Sequence, residues 1–376
     1  MKPYIYSILF LISIHFSFSQ TKELVLKESY EIDKNTILEI DIDNASIVFE
    51  ESNDHKVYLD YSILFDKDSE DIQYKVFKGL KAKSSKTNNK IKLEIKNSMY
   101  LGELHSLDVD IETYKEHIRG FFKKRRANEF YYKSKDSIVK EIDFSLGTDS
   151  NDYFKKLKLE NPYKNYGKSP RKFKQDFIIK TPKNVKIKIK ALHSRIDFTY
   201  NVNTHLDVSS FKTYYKFKGI NNENNSFKLM SGIFQAEAIS GGNYDLKDIY
   251  KVRIGSFSNA MLITETSKIQ IGEIGKKVSF KDFTSKVHLY NFSESFADFN
   301  FEGKYSELNV YKVKESNYSV KVFGFNTVLN MDGTKTTFGN SKEEKLTKIL
   351  EKKPKENIIS NGNIAIELEN GILNIK

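Results

Sequence analysis

The sequence predicts an all-β fold, organised as a β-solenoid-like stack of short strand–turn–strand repeats. From residue 37 onward, apolar and polar residues alternate with a period of two, which is typical of strands that bury one face. Between residues 185 and 329 such strands recur about every 17–25 residues, separated by corners rich in Gly, Asn and Ser, which predicts roughly seven stacked rungs. A two-sheet β-sandwich with irregular hairpins is the alternative that this pattern leaves open.

The first residues predict a secretory signal peptide that spans residues 1–19. Lys2 supplies the positive start, an apolar run follows, and Ser17 and Ser19 are the small residues that suit cleavage after Ser19. The apolar run has only about 14 residues, fewer than the roughly 20 needed to span a bilayer. We therefore expect an exported protein, periplasmic or at the cell surface or extracellular.

Changes in composition and periodicity divide the remaining chain into four regions. The predicted regions are an N-terminal β-strand region (20–100), a basic partly helical insertion (101–175), a β-repeat region (176–330), and a closing segment (331–376). In the first region, the alternation predicts strands at residues 37–42, 57–63, 74–77 and 91–95.

The predicted insertion breaks the β rhythm. Apolar residues recur at intervals of three and four, which indicates one face of a helix. These residues are Leu104, Leu107, Ile111, Tyr114, Ile118 and Phe121. The stretch 161–174 is rich in Pro, Gly and Asn, so we expect a loop there.

The closing segment contains signals for a short helix and for a hairpin. Ser341 and Glu344 have the spacing of a capping box, which predicts a helix that ends before Pro354 and covers one end of the stack. Asn370 and Gly371 both tolerate positive φ, so the two strands that flank them are predicted to close as a β-hairpin.

The positive charge of the chain is concentrated in one segment. Residues 119–190 contain 21 Lys and Arg against 8 Asp and Glu, so their net charge of +13 exceeds the +11 of the whole sequence. A localised positive field attracts anions. The aromatic residues Phe121, Phe122, Tyr131 and Tyr132 lie among these charges and could stack on sugar rings.

These features give a polyanion-binding hypothesis for the insertion, against the alternative that its charges form a solvated face. The candidate ligand-binding residues are Lys123, Lys124, Arg125, Arg126, Lys155, Lys156, Lys158, Arg171, Lys172 and Lys174. The expected partners are an anionic polysaccharide, lipopolysaccharide or a membrane surface, or else an envelope protein. Nucleic acid is not expected as the partner of an exported protein.

The sequence lacks the common catalytic signatures. It contains no cysteine, which excludes disulfides, thiolate metal sites and cysteine nucleophiles. It has no G-x-S-x-G elbow, phosphate-binding loop or paired zinc-protease histidines, although one solenoid turn could bring His193 and His205 together. We therefore expect no metal, no cofactor and no enzymatic activity. A pair of carboxylates that converge in space, as in glycosidases, remains the catalytic alternative.

Several strand–turn–strand units resemble those of a family of exported β-repeat proteins known as putative adhesins. The similar segments are residues 38–50, 205–217, 228–239 and 291–312, within a resemblance that covers residues 37–63 and 178–329. The resemblance implies an exported β-repeat module and carries over no catalytic residue. The basic insertion departs from the family pattern, and several corners are Ser-Phe, Ser-Gly or Phe-Ser instead of Tyr-Gly or Tyr-Ser.

Together these observations predict a non-catalytic binding or structural module of the cell envelope, adhesin-like, whose basic insertion binds an anionic glycan or lipid. Two alternatives stay open. One is a glycan-active enzyme on a solenoid scaffold. The other is a structural envelope protein that docks a protein partner through Ile111, Tyr114, Ile118 and Phe121 of the insertion.

Overall fold

The computed structural model describes residues 21–65, 70–97, 135–141, 173–313, 318–331, 334–337, 347–352 and 362–376. Two short helices, α1 (Glu70–Gly79) and α2 (Lys135–Glu141), accompany a large majority of strand residues, so the predicted all-β class is confirmed. The strands are β1 (Thr21–Glu31), β2 (Ile37–Asp43), β3 (Ser46–Glu51), β4 (Lys56–Phe65), β5 (Lys81–Thr87), β6 (Lys90–Lys96), β7 (Phe173–Thr181), β8 (Lys186–Leu192), β9 (Arg195–Val202), β10 (Leu206–Asn221), β11 (Ser226–Ser240), β12 (Asn243–Lys247), β13 (Lys251–Ser258), β14 (Ala260–Glu265), β15 (Lys268–Ile274), β16 (Lys277–Phe283), β17 (Lys286–Leu289), β18 (Asp298–Lys304), β19 (Glu307–Val310), β20 (Ser319–Phe325), β21 (Val328–Met331), β22 (Thr334–Thr337), β23 (Thr347–Lys352), β24 (Asn363–Glu369) and β25 (Ile372–Ile375).

The strands form a two-sided stack in which the chain crosses one sheet, rounds a corner and returns through the other. The front sheet has the order β5-β6-β2-β8-β10-β11-β12-β14-β16-β18-β24-β20-β23. The back sheet has the order β1-β4-β7-β3-β9-β10-β11-β13-β15-β17-β19-β25-β21-β22. Successive turns pair in parallel, which is the arrangement of the predicted solenoid and not of hairpins.

Each rung of the stack has a front part and a back part, which are two separate strands in most rungs and the two halves of one long strand in β10 and in β11. In stack order the rungs are β6 with β7, β2 with β3, β8 with β9, β10, β11, β12 with β13, β14 with β15, β16 with β17, β18 with β19, β24 with β25, and β20 with β21. Partners on neighbouring rungs between β8 and β19 are 17–21 residues apart, as Phe227 with Tyr244 and Val278 with Phe299 show. Eleven rungs at about 4.8 Å give a stack about 50 Å long.

The stack does not follow chain order at its two ends. The rung of β2 and β3 lies between β6 with β7 and β8 with β9. In the same way, the rung of β24 and β25 lies between β18 with β19 and β20 with β21. Antiparallel strands β1, β4 and β5 cover the first rung, and β22 and β23 cover the last. These strands end the parallel stack at its two sides.

Apolar side chains from both sheets fill the space between them. Leu38, Ile40 and Ile42 point inward from β2, as the alternation predicts, and are almost completely buried. Aromatic rings continue the core along the stack, because Phe198 stacks on Phe49 at 4.2 Å and on Phe217 at 4.8 Å between ring centroids. This shared interior explains how a chain without disulfides holds eleven rungs together.

Two-residue corners join the front strands to the back strands. The first corner residue has positive φ in rung after rung, for example Asn44, His193 and Thr284. The second is often Ser, whose hydroxyl accepts a hydrogen bond from the corner of the preceding rung, as from Ser267 N to Ser285 Oγ at 2.9 Å. The corners thus form a hydrogen-bonded ladder of their own.

The predicted C-terminal hairpin and helix are wrong. Strands β24 and β25 do not pair with each other, because Asn370 and Gly371 form a corner that sends one strand to each sheet. Thr347–Lys352, within the predicted helix, is strand β23 and pairs antiparallel with β20. In both cases a sheet edge supplied by distant rungs outweighs the local preference.

Other predictions have mixed outcomes. Residues 74–77, predicted as a strand, belong to α1, where Val76 is buried and the ring of Phe77 lies 5.7 Å from that of Phe65. The signal peptide and the helix predicted at residues 104–121 lie outside the described residues. Neither α1 nor α2, the helices of the described part, is long and apolar enough to cross a bilayer.

Candidate functional site

The insertion residues proposed to bind polyanions lie almost entirely outside the described part of the chain. This applies to Lys123, Lys124, Arg125, Arg126, Lys155, Lys156, Lys158, Arg171 and Lys172. Lys174 is in β7, where its backbone pairs with Leu64 of β4. The polyanion hypothesis for these ten residues therefore stays a prediction.

Helix α2, from the predicted insertion, packs on the outer surface of the back sheet. It contacts β11, β13 and β15. Ile138 is completely buried in a cluster with Tyr290 and Tyr311, and Lys135 Nζ lies 3.5 Å from a Glu273 carboxylate oxygen. This part of the back sheet is therefore occupied by the chain itself.

Two glycines allow the helix to approach the sheet closely. A Cβ atom at Gly255 would lie 2.6 Å from Val139 Cγ2, and one at Gly272 would lie 2.7 Å from Lys135 Cα. Both separations are shorter than real Cβ contacts, and the added Cβ would also clash with a carbonyl oxygen of the neighbouring strand, Glu237 O at 2.2 Å or Gly255 O at 2.6 Å, so a larger residue at either position would disturb both the sheet and the packing of α2. The sheet sequence is thus adapted to the presence of the helix.

Polar residues that point outward from the back sheet are buried. Asp197, Lys216 and Gln235 are in register on neighbouring strands, and each is at most 5% exposed. The Asp197 carboxylate forms an ion pair with the Arg195 guanidinium at 2.9 Å. The same guanidinium lies 4.7 Å from the centre of the Tyr214 ring. At these positions of β9, β10 and β11 the outward polar side chains are packed instead of open to solvent.

The front sheet, in contrast, exposes large apolar side chains. Five of the eight strongly exposed large apolar side chains in the described residues lie near the corners where the front strands end, between the fourth and ninth rungs. They are Phe211, Met230, Ile263, Phe283 and Tyr305. Such clustering, as opposed to scattered single residues, is typical of an interaction surface.

Their alignment follows from the strand register. Phe211 is paired with Met230 on the next strand, and Met230 is paired with Lys247. The same position then holds Glu265 and Phe283 on the following rungs. One row across the strands therefore contains both apolar and charged side chains.

An open groove of about 600 Å³ lies over the first half of this row. We call it the basic groove. Its charged and exposed apolar lining consists of Asp41, Lys96, Lys190, Phe211, Lys228, Met230, Asp245 and Lys247, with hydroxyls from Ser209 and Ser210. Four lysines against two aspartates give this groove a net positive charge.

Only some of these charges are neutralised locally. Lys96 Nζ lies 2.6 Å from Asp41 Oδ1, and Lys247 Nζ lies 4.0 Å from Glu265. Within the described residues, Lys190 and Lys228 form no ion pair and both side chains are exposed. They flank Ser209 in register, so two free ammonium groups border a hydroxyl.

A second groove of about 720 Å³ continues along the same side of the front sheet and shares Lys247 with the basic groove. Its charges are largely paired, Lys281 with Glu302 and Lys304 with Glu369, each at 2.8 Å. Below them, the Asp282 carboxylate accepts hydrogen bonds from Thr264 Oγ1 and from Ser285 N, so it stabilises the corner.

The corner beside the basic groove contains a partly buried carboxyl group. Burial raises the pKa of Asp43, and electrostatic interactions with His193 and Lys96 oppose that rise. His193 lies at this end of β8, where its backbone N–H donates to Phe211 O at 3.1 Å. The His205 carbonyl accepts from Ile187 N near the other end of β8, so the solenoid turn does not bring these two histidines together.

The described residues contain no group of three His, Asp or Glu side chains arranged to hold a metal ion.

The basic groove itself was not found from the sequence. Its lysine on β8, Lys190, belongs to the charge-rich segment 119–190, but Lys228 and Phe211 approach it only through the pairing of rungs 19 residues apart. The available signal was the occurrence of Phe211 and Met230 at positions where the alternation calls for polar residues.

Comparison with known proteins gives little further information. No protein-family model and no curated protein matches this chain. Among solved structures, the chain is similar to a putative cell adhesion protein from Clostridium sporogenes, at 9% identity and a TM-score of 0.20, over 95% of this chain and 99% of that one. A similarity at this score carries no argument about function.

Proposed function

We propose that this protein is an exported, non-catalytic, adhesin-like binding module of the cell envelope, which captures an anionic glycan on its front sheet. The observation that carries the proposal is the basic groove, where Lys190 and Lys228 form no ion pair within the described residues and border Ser209 next to the exposed Phe211 and Met230. Ammonium groups bind carboxylates and sulfates, and apolar side chains beside them favour the apolar faces of sugar rings.

The arrangement of the two sheets supports the choice of the front sheet. Helix α2 and a buried polar layer occupy much of the back sheet, whereas the front sheet keeps its lysines and apolar side chains in contact with solvent. A rigid stack also holds these groups at fixed separations, so little conformational entropy is lost on binding.

The basic insertion enters the proposal as a second anion contact. Its ten candidate residues carry charge of the same sign as the basic groove, and the chain re-enters the stack at β7 of the first rung, the rung whose front strand β6 supplies Lys96. Both contacts would attract the same polymer.

The test is binding of residues 20–376 to immobilised polygalacturonate and heparin at low and physiological salt. We expect binding that weakens steeply as salt rises, because counterion release drives association with polyanions. The charge-reversed double variant Lys190→Glu, Lys228→Glu should lose about tenfold or more in affinity, as expected when close charge pairs are removed.

The matched control reverses two other exposed lysines of the front sheet, Lys277→Glu and Lys321→Glu, which lie outside the basic groove. The control has the same net charge as the test variant. Equal losses of affinity in the two variants would therefore show that net charge, and not the basic groove, determines binding. A version without residues 119–174 measures the insertion separately. Salt-independent binding, or no binding by the unmodified protein, would overturn the proposal.

A further inference from the structure

We infer that the ligand is a linear acidic polysaccharide that lies across the strands, parallel to the long axis of the stack, and contacts both grooves of the front sheet. This inference rests on the proposed function and specifies its ligand. We call the surface the front track and define it by Lys190, Phe211, Lys228, Lys247, Phe283 and Tyr305.

Continuity along the stack is the first argument. The basic groove and the second groove lie on the same side of the front sheet and share Lys247. The track begins at Lys190 on the third rung and ends at Tyr305 on the ninth, a distance of about 29 Å at the usual strand spacing. This shape fits an extended chain better than a compact ligand.

Regular spacing is the second argument. Lys190 and Lys228 are two rungs apart, about 10 Å, and Phe211 and Phe283 are four rungs apart, about 19 Å. A polymer with a repeating unit presents charges and ring faces at constant intervals. A stack with a constant rise can therefore contact several of its units in the same way.

The orientation of the aromatic rings is the third argument. Phe211 is held by His193, in an edge contact at 6.0 Å, and by the Lys212 ammonium at 5.6 Å from its ring centre. Phe283 contacts Tyr305 edge-on at 5.8 Å. Rings that are fixed before binding offer apolar faces to sugar rings at a low entropic cost.

The charge distribution favours a polysaccharide over a bilayer or a densely charged polymer. The second groove contains five carboxylates against three lysines. The lysines pair with Glu265, Glu302 and Glu369, and Glu367 forms no ion pair within the described residues. A surface of uniform negative charge would meet this carboxylate at close range. A glycan can place hydroxyl groups there, since carboxylates accept hydrogen bonds from hydroxyls, and its acidic groups over Lys190 and Lys228.

The experiment compares oligogalacturonates of increasing length with the long polymer, using calorimetry at low salt. Affinity per chain should rise with length until the oligomer spans about 29 Å and then level off, because longer chains make no new contacts with the track. The double variant Phe283→Ala, Tyr305→Ala should lose about tenfold in affinity for long oligomers and little for the shortest ones.

Tyr74→Ala is the matched control, because Tyr74 is 69% exposed and lies in α1, away from the track. Equal affinity for all lengths, or full binding by the Phe283→Ala, Tyr305→Ala variant, would overturn the inference while the proposed function stands. Tighter binding to anionic phospholipid vesicles than to polygalacturonate would overturn it as well. No binding of polygalacturonate or heparin by the unmodified protein would instead overturn the proposed function.

Discussion

The Asn374 side chain donates a hydrogen bond to Asn309 Oδ1 at 2.9 Å, although the two residues are 65 positions apart in the sequence. On the other side, Asn330 Nδ2 donates to Asn374 Oδ1 at 2.7 Å. The three carboxamides form a ladder through β19, β25 and β21, in which Asn309 is completely buried. The ladder fixes the register of a strand that is inserted out of chain order.

Asn374→Ala should lower the free energy of unfolding by about 1–3 kcal/mol, because it removes the donor to a buried carboxamide oxygen. Urea unfolding measures the change. The control is Asn363→Ala on β24 of the same rung, where the amide donates to Asp298 at 3.2 Å in an exposed position. A change of less than about 0.5 kcal/mol is expected there. Equal effects at both positions would contradict a special role for the buried ladder.

Phe198→Ala should be among the most destabilising single changes in the core. The ring is buried and stacks on Phe49 and Phe217, so its loss leaves a cavity in the interior and costs about 3–5 kcal/mol. Phe283→Ala, at a position that is 45% exposed, should change stability by less than about 1 kcal/mol. Thermal and urea unfolding of the two variants would test this difference, and similar losses would count against a continuous aromatic core.

The protein should lose stability above pH 10. Burial raises the pKa of Tyr200 to about 12 and raises the pKa values of Tyr61, Tyr215 and Tyr244 as well. Because the folded state holds these protons more tightly than the unfolded chain, their contribution is complete below pH 10 and is lost as the pH rises towards 12. Unfolding followed by phenolate absorbance and circular dichroism measures this loss.

The buried tyrosines can be separated from exposed ones in the same titration. Tyr200→Phe with Tyr215→Phe should reduce the slope of stability against pH in this range. Tyr305→Phe, at a position that is 57% exposed, should leave the slope unchanged. A slope that responds equally to both variants would show that burial is not its cause.

Ile138→Ala should loosen helix α2 from the back sheet. Its side chain is completely buried against Tyr290 and Tyr311, so its truncation removes the main apolar contact of the helix. Hydrogen exchange of a peptide that covers Lys135–Glu141 should become faster. Lys140→Ala, at an exposed position of the same helix, serves as the control. Unchanged exchange in the Ile138 variant would mean that other contacts hold the helix.

Local sequence patterns were sufficient for most strands of the repeat region and for the fact that they stack. The alternation of Leu38, Ile40 and Ile42 defines an inward face, and the recurrence of such segments defines rungs. They were insufficient at Asn370 and Gly371, because positive φ is compatible both with a hairpin turn and with a solenoid corner. The choice depends on β18 and β20, which offer edges to β24 from distant parts of the chain.

The candidate site was less predictable than the fold. Each of Lys190, Ser209 and Lys228 occupies an outward position that the alternation predicts. Their juxtaposition depends on a register of 19 residues per rung, and the composition of one segment does not contain that information. The charge count located a basic region, whereas the groove also required Phe211 and Met230 on strands outside it.

The position of β25 between two parallel neighbours has a mechanical consequence. A strand at the edge of a sheet can be peeled away, with its hydrogen bonds breaking one after another. A force that enters β25 along the strand direction would instead load the ladders to β19 and to β21 together, in shear. Force spectroscopy should therefore show a higher rupture force for pulling through β25 than for pulling through the covering strand β1, which within the described residues pairs with β4 alone.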